Sequence, residues 1–278
     1  LRHAHARWPR PAPRFLLLAA DATRDFGHLR ENTIPTGMVD TYLNGETGSD
    51  HVYADLTGDE GPELAVGRLP ARSAEELAHF VARTIEYETE VLPGEWRRRI
   101  SFITGEGGFG RAADKLLETV FERLISDRIP DLYDVNVTYA NPDSAYCCDP
   151  ARFGEKTIER LNDGSLFYVY VGHGRWDGFD TLRWKGRDHR ILSRDHLDRV
   201  EVEEGAPIAV VIACTTGQFD HPSRESIGEG LLRRPRGPVA FLGSSRISHP
   251  YPNAILGKEL IDVVLSDLDD MPTLGEGV

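Results

Sequence analysis

Five short apolar runs punctuate an otherwise polar chain: RFLLLAA (14–20), RISFIT (99–104), SLFYVYV (165–171), PIAVVIA (207–213) and PVAFLG (238–243). A strand with one wet face alternates apolar and polar residues. These runs do not alternate, so each predicts a strand buried on both faces, as in a parallel sheet. Between them the period changes. Ser73 and Glu76 form a capping box ahead of Leu77, Phe80, Val81 and Ile85, with an apolar end at Val91 and Leu92, which predicts one buried helix stripe. Ala113, Leu116, Leu117, Val120, Phe121, Leu124 and Ile125 repeat at three and four and predict a second helix. Asp149, Pro150 and Gly164 punctuate a third. Strands alternating with helices imply an α/β fold with parallel-rich sheets and right-handed crossovers. Residues 21–62 read as loop-rich, with weak strand signal near HVYADL. Proline, glycine and charge interrupt the pattern in EVLPGEWRRR, which suggests an N-terminal α/β subdomain over 1–95 and a second subdomain over 96–278.

Composition narrows the partners. With 278 residues, 40% of them hydrophobic, the chain can bury a sizeable core. Its net charge of -13 leaves no basic excess to draw in nucleic acid or anionic lipid. The one basic cluster, RRPR at 233–236, reads as a solvated helix end. No apolar run approaches the roughly 18 residues of a membrane span. The start at Leu1 and the stop at PTLGEGV suggest a piece of a longer polypeptide with further domains. Three cysteines, with Cys147 and Cys148 adjacent, are too few and too badly spaced for a disulfide framework or a zinc site. Asp55, Asp59 and Glu63 are spaced as calcium ligands can be. The full loop pattern and its twelfth-position glutamate are missing, so the reading is a capped turn and no metal is expected.

Two stretches carry candidate chemistry. FITGEGGFGR (102–111) spaces Gly105, Gly107 and Gly110 as a dinucleotide-binding loop would. Against that reading, Glu106 stands between the first two glycines. The acid expected at the end of the next strand is also missing, since LYDVNVTY runs into Ala140 and Asn141 and Asp143 comes late. YVYVGHGRWDGF places His173 directly after a buried strand between Gly172 and Gly174, and IACTTGQFD ends the next buried strand at Cys214. Carboxyl ends of parallel strands form ligand crevices, so on neighbouring strands imidazole and thiol would emerge side by side. A cysteine nucleophile needs a base or an imidazolium beside it to supply thiolate near neutral pH. Amides of Gly174 and Cys214 are candidate oxyanion donors, and histidine before cysteine excludes a papain-like layout.

With RFLLLAADATRDF, SDHVYADLTGDEGPELAVGRLPARSAEEL, YVYVGHG, IACTTGQFD and VAFLGSSRIS in view, the chain resembles the gingipain-type cysteine peptidases of the caspase-like clan over nearly its whole length. The resemblance implies a caspase-like fold in two subdomains and hydrolysis of polypeptide substrates through a histidine and cysteine dyad, without a cofactor. It also suggests a secreted enzyme. It puts the histidine on His173 and the nucleophile on Cys214. It further suggests that Glu106 orients the histidine and that Asp114 lies at the base of a pocket for arginine or lysine, with His249 or Tyr251 as wall. Two other readings stay open. ACTTG followed by GEGLL is similar to caspase-like domains of bacterial regulatory proteins, which implies a partner-binding module, and the glycine loop leaves a dinucleotide-binding oxidoreductase.

Overall fold

In the computed structural model the described residues are 1–28, 33–89, 94–107, 119, 122–123, 125–265 and 273–277. Five parallel strands form the central sheet: β5 (Arg99–Thr104), β6 (Asp134–Tyr139), β7 (Phe167–Val171), β12 (Ile208–Ile212) and β13 (Ala240–Gly243), in the spatial order β13-β12-β7-β5-β6. The expected α/β fold with a parallel sheet is what forms. Four of the five apolar runs supply β5, β7, β12 and β13, and LYDVNVTY supplies β6. Tyr168, Tyr170, Ile100, Phe102 and Ile103 are buried to 2% exposure or less, so side chains on both faces of the sheet leave water. Each such burial is worth about 1.5–3 kcal/mol.

The chain leaves β5 for β6 on one side and then returns to β7 on the other. This places a topological switch point between β5 and β7, where open parallel sheets hold their ligands.

The fifth run behaves differently. RFLLLAA supplies β1 (Phe15–Leu18), which pairs with β4 (Ala65–Arg68) alone in a parallel two-stranded sheet, and Phe15 and Leu17 are 51% and 59% exposed. The expectation of burial on both faces fails here, because no layer among the described residues covers that face. The expected helix runs Ala74–Thr89, opened by the Glu76 amide donating to Ser73 Oγ at 3.1 Å. Its stripe is narrower than predicted. Phe80 and Arg83 are buried while Val81 and Ile85 are exposed, because the helix touches its neighbour along one edge: Arg83 donates to the carbonyls of Leu232 and Arg234, both at 2.9 Å. Val91, Leu92 and most of 113–125 lie outside the described residues. Asp149 caps the 3-10 turn Pro150–Arg152, which runs into the helix Phe153–Asn162, and Gly164 follows at φ +66°.

Two readings are corrected, and two hairpins were not anticipated. HVYADL contains the helical turn His51–Ala54, and the strands of this region are β2 (Gly37–Thr41) and β3 (Gly45–Ser49), an antiparallel hairpin closed by the turn at 42–44, with Gly45 entering β3 at φ +61°. The Asn-Gly pair was the overlooked signal. After β7 the chain forms two small hairpins, β8 (Gly174–Arg175) with β9 (Gly178–Phe179) and β10 (Thr181–Trp184) with β11 (Arg187–Arg190). The second turns at Lys185 and Gly186, both with positive φ, as a primed turn requires. Finally, RRPR ends the helix Ile227–Arg233 as expected, yet the Arg233 side chain is only 11% exposed and sits among carboxylates. The capped-turn reading of 55–63 fits the structure: Asp55 Oδ1 accepts the Gly58 amide at 2.6 Å, and Glu63 accepts the Leu56 amide at 2.6 Å.

Candidate active site

Strand register builds this site. Thr104 of β5 pairs with Val171 of β7, which pairs with Ile212 of β12. Two residues beyond that row, on three neighbouring strands, stand Glu106, His173 and Cys214. All three line one cavity of about 810 Å³, together with Ser248 and Asn253. His173 is exposed and Cys214 half-buried.

The two turns are pressed together. A Cβ on Gly174 would lie 2.7 Å from the Ala213 Cβ and 2.8 Å from the Cys214 carbonyl oxygen, so only glycine fits beside the cysteine turn. One helix end ties both loops: the Ile227 amide donates to the Trp176 carbonyl at 2.7 Å and the Gly228 amide to the Thr216 carbonyl at 3.0 Å. The reciprocal capping box of Ser226 and Glu229 fixes that end.

Cys214 is followed by Thr215 at φ +56°, a strained position for a β-branched residue. Surrounding bonds over-determine it: the Thr215 amide donates to the Arg246 carbonyl at 2.9 Å and the Gly217 amide to the Ser244 carbonyl at 3.0 Å. The Arg246 guanidinium in turn holds the fully buried Asp220 through two bonds of 2.8 and 2.5 Å. The loop so fixed brings the Ser248 amide to 3.5 Å from the Cys214 Sγ, and Asn253 donates to Ser248 Oγ at 2.8 Å. The sequence reading passed over Ser248, Asn253, Asp220 and Arg246. GSSRIS contains Arg246 and Ser248 and IACTTGQFD ends at Asp220, but neither segment singled them out, and nothing pointed to Asn253.

Glu106 is half-buried at the rim, where its Oε2 accepts the Arg183 amide of β10 at 3.4 Å. The glycine on its N-terminal side has a packing role. A Cβ on Gly105 would lie 2.9 Å from the Tyr170 hydroxyl and 3.4 Å from Asp180 Oδ2. His249 is exposed in the loop after β13, and Tyr251 lies in the helix Pro250–Leu265. Asp114 and Gly110 lie outside the described residues. Cys147 and Cys148 are free thiols that do not line the cavity, and burial pushes the Cys147 thiol up to about 11 and Cys148 in the same direction. Among the described residues no group of three or more histidine, cysteine or acidic side chains is placed to hold a metal, and no helix is long and apolar enough to cross a membrane.

The sequence matches peptidase family C25 across residues 1–278. The chain belongs to that family. Among curated relatives, gingipain R2 of Porphyromonas gingivalis is 24% identical over 79% of this chain and 28% of its own length. Lys-gingipain of the same organism is 23% identical over 78% of this chain and 12% of its own length. The chain thus spans about a quarter or less of these C25 relatives. Among solved structures, the Arg-specific cysteine proteinase gingipain R superposes with a TM-score of 0.71 at 21% identity, covering 95% of this chain and 56% of that one. This establishes the shared caspase-like α/β fold of the C25 peptidases.

Proposed function

We propose that the chain carries the catalytic machinery of a cysteine endopeptidase, with Cys214 as nucleophile and His173 as general acid and base. The observation that carries this is the shared row: both residues lie two positions beyond the paired Val171 and Ile212, at the carboxyl ends of adjacent parallel strands and on one cavity wall. The Cys214 thiolate attacks the scissile carbonyl carbon, and amides of Gly174 and Cys214 donate to the developing oxyanion. His173, carrying the proton taken from the thiol, gives it to the leaving amine as the C–N bond breaks. Water then attacks the thioester, His173 takes its proton, and the acid product departs with the thiol restored. No step needs a cofactor.

For specificity we propose arginine or lysine before the scissile bond, recognised by Asp114, with His249 or Tyr251 forming a wall. The names of the relatives, which include an Arg-specific gingipain R and a Lys-gingipain, support a basic preference. A carboxylate in a partly desolvated pocket selects a guanidinium by paired hydrogen bonds. Asp114→Asn should lower kcat/KM for basic fluorogenic peptides without affecting others.

The decisive test is alkylation. At neutral pH iodoacetamide should label Cys214 first, since Cys147 and Cys148 are held protonated by burial. Labelling should track loss of peptide hydrolysis. Cys214→Ala should remove activity, and turnover surviving in that variant would falsify the assignment.

A further inference from the structure

Beneath His173 lies a second acid that the peptidase reading leaves unused. Asp180 sits between the two small hairpins, half-buried, with its backbone fixed at both ends: its amide donates to the Tyr170 hydroxyl at 3.1 Å and its carbonyl accepts the Ile191 amide at 3.0 Å. The same Tyr170 hydroxyl donates to the His173 carbonyl at 2.8 Å, so one buried phenol couples the backbones of Asp180 and His173. That phenol stacks on Phe179 at 3.9 Å and occupies the space left by Gly105 and Gly172, where added Cβ atoms would lie 2.9 and 2.8 Å from its oxygen. Asp180 Oδ1 accepts the Thr181 amide at 2.7 Å, and among the described residues no hydrogen bond engages Oδ2. Glu106 likewise accepts one backbone amide, that of Arg183 at Oε2 and 3.4 Å, but among the described residues no phenol ties its backbone to that of His173.

We infer that Asp180, through Oδ2, is the carboxylate that orients the His173 imidazole and balances its positive charge, with Tyr170 as the strut between them. This rests on the reading of His173 as the base for Cys214. Asp180 is a positioning residue that acts through the imidazole. Burial raises its carboxyl above the ordinary range, while the Thr181 amide and the His173 charge oppose that rise, which fits an acid in electrostatic contact with this histidine. The other charged or titratable groups on the cavity that His173 lines are Glu106, Glu122, Tyr139, Tyr146, Cys214 and Lys258, with Arg183 behind Glu106. Asp180 differs from them in being coupled to the histidine backbone.

The test reads Cys214 alkylation by iodoacetamide, in which the thiolate sulfur displaces iodide, from pH 5.5 to 9.5 in the full chain. An imidazolium beside the sulfur keeps thiolate present at low pH. His173→Ala should abolish that low-pH reactivity; if it does not, the reading of His173 as partner fails, and the inference with it. Asp180→Asn should lower the rate at pH 6 by about tenfold, the effect of removing one nearby charge, and leave it unchanged at pH 9.5, where thiolate forms without the imidazolium. Asp180→Ser, which keeps an uncharged acceptor for the Thr181 amide, is the second variant and should behave alike. In peptide hydrolysis both should reduce kcat with little change in KM. Glu106→Gln should leave the alkylation profile in place. If Glu106→Gln removes the low-pH reactivity while the Asp180 variants keep it, or if all three keep it, Asp180 is not the partner. Low-pH reactivity with no peptide hydrolysis in the wild type would sink the peptidase reading and leave the Asp180 pairing standing.

Discussion

Two regions of this molecule hold titratable groups by opposite means. At the carboxyl edge of the sheet, Glu106, His173 and Cys214 are placed by backbone register, two residues past one row of paired strand positions. At the seam where residues 21–72 meet the helix Ile227–Arg233, placement is by charge. Arg72 binds Asp21 at 2.8 Å, Arg233 binds Glu225 at 2.5 Å, Arg194 binds Glu225 at 2.7 Å, and Glu229 lies 3.5 Å from Arg233. Register fixes where His173 and Cys214 leave their strands without using their imidazole or thiol, which leaves those atoms free for chemistry. In the seam each charge is consumed by its neighbours. Substitutions should therefore separate cleanly: His173 and Cys214 variants lose activity and keep their fold, and seam variants do the reverse.

The largest separation should come from Cys214→Ala. Turnover should fall by a factor on the order of 10⁴ or more, since the covalent route disappears, while the unfolding free energy stays within about 0.5 kcal/mol of wild type. A destabilised Cys214→Ala would mean that the thiol is a packing group and would collapse the contrast.

Next is Arg233→Ala. Its guanidinium is 11% exposed, and removing it strands Glu225 and Glu229 without their main cation. Breaking a buried pair in this way costs about 3–5 kcal/mol. Chemical denaturation should show that loss, and kcat per folded molecule should stay near wild type.

Arg246→Ala tests the ground between the two regions. It removes both hydrogen bonds to the fully buried Asp220, and it also frees the loop whose carbonyl holds Thr215 and whose Ser248 amide faces the Cys214 sulfur. Stability should fall by about 3 kcal/mol and kcat by about tenfold. A change in stability alone would move Asp220 and Arg246 into the seam class.

The same contrast explains what the sequence made legible. His173 and Cys214 could be read because strand ends are local: an apolar run stops, a glycine follows, and a reactive side chain stands at the exit. The parallel sheet was legible for the same reason. The seam was not. Asp21 and Arg72 are far along the chain from the helix they meet, so the closing of the seam had no local sign; Glu225 and Glu229, eight and four residues before Arg233, were the local sign that RRPR carries a paired arginine. Phe15 and Leu17 misled in the opposite direction, since a continuous apolar run does not say whether a second layer covers it. Tyr170 had a local signal that was not used: a tyrosine inside a buried strand needs a partner for its hydroxyl. The partners, Asp180 and the His173 carbonyl, depend on two hairpins whose polar, short strands give little periodicity.

The smallest effect expected, and the sharpest probe of the seam, is the pH dependence contributed by Glu229. Burial raises its carboxyl to about 7, opposed by the Ser226 amide and by Arg233 and assisted by the nearby Asp21. An acid whose folded value lies above its unfolded value stabilises the fold in its neutral form. That contribution is complete below about pH 4.5 and is lost as pH rises through about 7. The loss amounts to about 3 kcal/mol at most, at roughly 1.4 kcal/mol per unit. Glu229→Gln keeps an oxygen to accept the Ser226 amide and cannot ionise, so its stability should not decline over this window on that account. Denaturation of both proteins at pH 5 and pH 7.5 isolates the difference, because every other titrating group is shared. The wild type should lose more stability than the variant between the two. If the two proteins run parallel, Glu229 is ionised throughout and Arg233 with Arg72 fully balances it. The seam would then be a closed ion network, and the helix end that ties the His173 and Cys214 loops would be equally firm at either pH.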